Sequence, residues 1–80
     1  MNLSQIKNVF SKIVSFVDVD LILTDLDGII IDSNRISLNG KEVLIPEFNN
    51  NQEVFEKSGF YFIFIKQYNS PKFLIGIKDN

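Results

Sequence analysis

Asp25-Leu26-Asp27-Gly28 stands between two strongly apolar runs, Leu21 to Thr24 and Ile29 to Ile31. Asp-Gly is a strong hairpin dipeptide, because glycine enters positive φ at little steric cost. Each flanking run is too short for a helix and too apolar for a surface loop, and the second is β-branched throughout. The segment therefore reads as strand, turn, strand. A chain with this hairpin near its start has to build an antiparallel sheet and cover its apolar faces.

Upstream, Leu3, Ile6, Phe10, Ile13 and Val17 follow the three-four spacing of one helical face. Asn2 is a natural N-cap, and Gln5 completes a capping box. Val9, Phe16 and Val14 widen the stripe, so the helix has apolar surface for its own sheet, for a partner helix, or for both.

Downstream, Asn39-Gly40 is a second turn signal, flanked by Ile36, Leu38, Val43 and Ile45, and argues for a small hairpin ended by Pro46. Asn49-Asn50-Asn51 breaks regular structure. Gln52 to Lys57 has room for one or two helical turns, with Gly59 as a stop. Phe60, Phe62 and Phe64 point to one side of a strand and Tyr61, Ile63 and Ile65 to the other, so this strand is expected at the centre, covered on both faces. Asn69-Ser70-Pro71 makes a turn, and Phe73 to Ile77 the last strand. The fold class that follows is α+β: a single antiparallel β-sheet with the N-terminal amphipathic helix packed on one face and the middle connection over part of the other. Residues 1–80 form one domain, with a helix in 1–18 and the sheet core in 20–80.

Composition narrows the chemistry. Cysteine and histidine are absent, which removes disulfides, zinc-thiolate sites and the usual general base at neutral pH. Eight phenylalanines supply much of the core, yet 80 residues are few for a domain without staples, and a dimer would add buried surface. A net charge of −2, with Arg35 the only arginine, gives no nucleic-acid footprint. No apolar run approaches the roughly 18 residues of a membrane span, and no signal pattern opens the chain. These features lead us to expect a cytoplasmic protein, and the bias toward Ile, Asn, Lys and Phe a bacterial one.

Leu21 to Ile29 resembles the first motif of the haloacid dehalogenase superfamily. That resemblance implies Asp25 as a phosphoryl-accepting nucleophile, Asp27 as acid/base, and magnesium. The rest of the family pattern is missing. Lys57 or Lys66 would have to serve as its lysine, no acidic pair follows a later apolar strand, and Asp79 stands alone. Alternating β and α segments do not follow Ile31, and the chain is short for a doubly wound core. The reading that remains gives Asp27-Gly28 the turn and Asp25 a capping role, and expects no enzyme, no cofactor and no metal.

The order of capped helix, Leu21 to Asn34, Arg35-Ile36, and a closing pair Gly59 to Ile65 and Phe73-Leu74-Ile75-Gly76-Ile77 resembles PAS/GAF-like bacterial sensory domains, closest to the sugar-diacid-recognition type of transcriptional regulators. The resemblance implies a ligand-sensing, dimerising domain in signal transduction. It implies a homodimer through the N-terminal helix and no direct contact with nucleic acid or membrane. The chain ends just after its last strand, as if an output domain followed. A pocket, if formed, is expected between the sheet and the connection from Ser33 to Gly59. Ser33 and Asn34 are candidate hydrogen-bond partners, Arg35 a bidentate clamp for a small carboxylate or sugar acid, and Tyr61 and Lys66 further ligand-binding candidates. The alternative is an assembly module without a pocket. A polar hollow near Arg35 favours the sensor, and side chains filling that space favour assembly.

Overall fold

The computed structural model describes residues 1–78; Asp79, Asn80 and the side chain of Ile36 lie outside what it describes. A helix, α1 (Leu3–Phe16), precedes five strands: β1 (Leu21–Thr24), β2 (Ile30–Ser33), β3 (Phe55–Lys57), β4 (Phe60–Gln67) and β5 (Ser70–Lys78). They form one antiparallel sheet in the order β2-β1-β5-β4-β3. The architecture is α+β, with the helix against β1. The capping box is present: the Asn2 side chain accepts from the Gln5 N–H and the Gln5 side chain from that of Asn2.

β1 and β2 form the expected hairpin, but its turn has three residues rather than two. Asp25 N–H donates to the Ile29 carbonyl and Gly28 N–H to the Asp25 carbonyl, with Gly28 at φ 83°. This is the type I turn plus left-handed residue that closes a three-residue hairpin. Glycine is required here twice over, since a Cβ at Gly28 would also run into the Val43 carbonyl.

The sheet has two covered faces. On one, α1 buries Ile6 and Phe10 against Leu21, Leu23 and Ile75. On the other, Ile22, Ile30, Phe62, Phe64, Leu74 and Phe55 lie beneath the connection, which adds Leu38, Val43, Ile45 and Phe48. The row Ile22·Gly76·Phe62 crosses this second face, and a Cβ at Gly76 would meet the Phe62 ring at 2.8 Å. Gly76 is the gap that lets Phe62 lie over the middle of the sheet.

Three expectations need correction. Asn39-Gly40 does not join two strands. Ile36–Leu38 is a single 3-10 turn, and the chain after Gly40 returns along residues 28 to 30 instead. Ile30 N–H donates to Lys41 O, Gly40 N–H to Ile30 O and Val43 N–H to Gly28 O, with Ile29 bridged to Glu42. The unpaired edge beside the hairpin outcompetes a separate hairpin, because its backbone groups must be satisfied. Gln52 to Lys57 holds no helix; its end is β3, joined to β4 through Ser58 and Gly59, both at positive φ. Two positive φ values are what a type I′ hairpin demands. Finally, β4 is not covered on both faces: Phe62 and Phe64 are buried, whereas Tyr61 and Ile63 are 38% and 40% exposed.

Candidate functional site

Ser33 ends β2, and Asn34 and Arg35 follow it beside the start of β1, where they hold the helix–sheet junction. Asn34 Oδ1 accepts from the Leu21 N–H at 3.1 Å, its Nδ2 donates to the Val19 carbonyl at 2.5 Å, and its own N–H donates to the Leu21 carbonyl. Arg35 forks onto Asp20, Nε to Oδ1 at 3.0 Å and a terminal nitrogen to Oδ2 at 2.8 Å. The Ser33 hydroxyl is buried, bonded to the Arg35 carbonyl and 2.7 Å from the Asn39 side chain. The polar atoms proposed for a ligand thus have partners within the chain. Arg35 keeps 63% of its side chain exposed.

Asp25 is occupied in a similar way. Its Oδ1 accepts from the backbone N–H of Asp27 at 2.9 Å and of Ile29 at 3.0 Å, an arrangement that fixes the turn. Among the described residues no group of acidic side chains is placed to hold a metal ion.

The five candidates do not converge. Ser33, Asn34 and Arg35 lie at the β2 side, whereas Lys66 lies on β4, with β1 and β5 between. Tyr61 shares a row with Leu21 and Ile77, which places it on the helix side of the sheet. Lys66 reaches the opposite side, its Nζ 5.5 Å from the centre of the Phe48 ring. Beneath the connection, Leu38, Val43, Ile45 and Phe48 pack against the buried face of the sheet.

Concavity lies at the other end of the connection. A cleft of about 400 Å³ opens between residues 48–55 and β4, with Phe48, Phe55, Phe64, Val54 and Ile63 as apolar lining and Lys66 at its rim. A larger groove of about 740 Å³ follows the polar run from Glu47 to Gln52. The rings of Phe48 and Phe55 each meet Phe64 edge-on at 5.2 Å, so the cleft has a built aromatic floor. From the sequence a pocket is expected between the sheet and the connection, with Lys66, which lines this cleft, among its candidates, but with none of Phe48, Val54 and Phe55. The local signal for the two rings is a phenylalanine on each side of the asparagine run.

Comparison with known proteins found no match to a family model, to a curated protein or to a solved structure.

Proposed function

We propose that this chain is a non-catalytic module of the PAS-like sensory class, serving a bacterial regulator through self-association. The helix-first α+β architecture is compatible with that class. Within it, one feature supports assembly over a ligand clamped by Arg35: the guanidinium is engaged by Asp20.

The observation that carries the reading is a gradient of exposure across the helix side of the sheet. Along one row it runs from Leu23 at 0% through Ile75 at 7% to Ile63 at 40%. Along the next it runs from Leu21 at 2% to Tyr61 at 38%. α1 covers β1 and β5 and leaves an apolar shelf on β4. The helix adds exposed apolar side chains of its own: Val9 and Phe16, seven positions apart on one flank, are 44% and 87% exposed. Exposed apolar surface on both a helix and the sheet it packs on suits an interface. The occupant we assign is a second copy, because a two-fold pair offers each shelf the other's helix flank and a net charge of −2 opposes it weakly. The helix takes part through its flank, since its main stripe is spent on its own sheet.

Sedimentation equilibrium tests this. The protein should be dimeric at micromolar concentration, and Phe16→Asp or Ile63→Asp should weaken association about tenfold or more, roughly 1.4 kcal/mol, with the circular dichroism of the folded chain retained. Phe10→Asp is no substitute, because Phe10 is buried in the monomer. A wild-type chain that stays monomeric at on the order of 100 µM overturns the proposal.

A further inference from the structure

We infer that the cleft between residues 48–55 and β4 is a binding site for a small carboxylate bearing a compact apolar group, aromatic or branched aliphatic. Its lining includes Ile63, which the proposed self-association shelf also uses, but it does not depend on self-association. Three features of the cleft argue for that chemistry together.

The first is the floor. Phe64 lies between the edges of Phe48 and Phe55, and Val54, half exposed, forms a side wall. An apolar floor of this kind at about 400 Å³ lies within the size range of small-molecule sites.

The second is the charge. Lys66 is the only cationic side chain among the residues that line the cleft. Its Nζ lies 5.5 Å from the centre of the Phe48 ring, and among the described residues no ion pair fixes it there. Glu53 opposes it from the lining, so the site suits one carboxylate and disfavours a polyanion.

The third is the backbone. β3 pairs with β4 only as far as Phe55·Phe62, while β4 continues to Gln67 against β5 alone. The cleft lies where this ladder stops. Alternate N–H and C=O groups of residues 63–66 therefore face it without a β3 partner, a few polar groups in an apolar setting. Gln52 Nε2 donates to the Val54 carbonyl and holds the far wall in place. A ligand's apolar group would rest on the phenylalanine floor and its carboxylate would meet Lys66, with the free strand edge beside it.

Phenylacetate is the probe, and its uncharged isostere phenylacetamide the control. A ligand this small should bind with a millimolar Kd. In amide-resolved NMR titrations of the full chain, phenylacetate should give saturable shifts centred on Phe48, Val54, Phe64 and Lys66, at least about fivefold tighter than phenylacetamide. Lys66→Met should erase the difference between the two probes while leaving the spectrum outside the cleft unchanged, and Lys66→Arg should preserve it. Acetate alone should not saturate. No saturation with phenylacetate up to on the order of 20 mM overturns the site, as do equal affinities for both probes in the wild type or saturation by acetate. The variant Phe16→Asp separates this result from self-association: it should be monomeric with an intact cleft, so its titration should match the wild type.

Discussion

Asn34 does more for this fold than its exposed position suggests. One side chain and its backbone bond three main-chain groups of the helix–strand junction, at Val19 and Leu21. Arg35, its neighbour, makes a fork to Asp20 of good geometry but in solvent. The two should separate cleanly in urea unfolding. Asn34→Ala removes the Leu21 and Val19 side-chain bonds and should cost about 1–3 kcal/mol. Arg35→Ala breaks an exposed pair and should cost under about 1 kcal/mol, less in high salt. A larger loss for Arg35→Ala would mean that the ion pair, rather than the amide, holds the junction. The sequence marked these positions as polar and closely spaced, which suits a ligand site and a structural clasp equally. The clasp is formed with partners 13 to 15 residues away, and no local pattern reports such a distance. Asp25 was easier, because its bonds are to Asp27 and Ile29 and follow from the turn itself.

At the scale of elements, what local chemistry dictates was legible and what competition decides was not. The capped helix, the first hairpin and the alternation in β4 each follow from neighbours in sequence. The path of residues 36–57 follows from which backbone edge needed covering, a choice between distant segments. The β4–β5 hairpin carries a legible weakness. Its turn residues Tyr68 and Asn69 both take positive φ, at 53° and 64°, and Tyr68 is 92% exposed. A tyrosine there packs against little and strains its backbone. Replacing the pair by Asn-Gly (Tyr68→Asn with Asn69→Gly) supplies residues suited to a type I′ turn and should stabilise by about 0.5–1 kcal/mol. Thermal unfolding should shift upward by a few degrees. A lower midpoint would show that the Tyr68 ring contributes contacts outweighing its strain.

For the molecule as a whole, both edges of the sheet are covered only in part, and its two faces are treated differently. Residues 40–43 bond to residues 28–30 and so cover only the start of the β2 edge, while β3 pairs with only the start of β4. The connection packs over one face, and a single 14-residue helix covers only part of the other. A chain of 80 residues has little core to spare, so stability linked to association should be a visible share of the total. If the shelf on β4 and the flank of α1 are joined between two copies, dimerisation stabilises the folded state by mass action. The unfolding midpoint of the wild type should then rise with protein concentration across a hundredfold series. Phe16→Asp should melt at a concentration-independent temperature equal to the dilute limit of the wild type, because Phe16 is 87% exposed and contributes little within one copy. Calorimetry at several concentrations reads both quantities at once. A wild-type midpoint that does not move with concentration would leave the shelf an exposed surface of a monomer. A Phe16→Asp midpoint well below the dilute limit would place Phe16 in the core of the single chain instead.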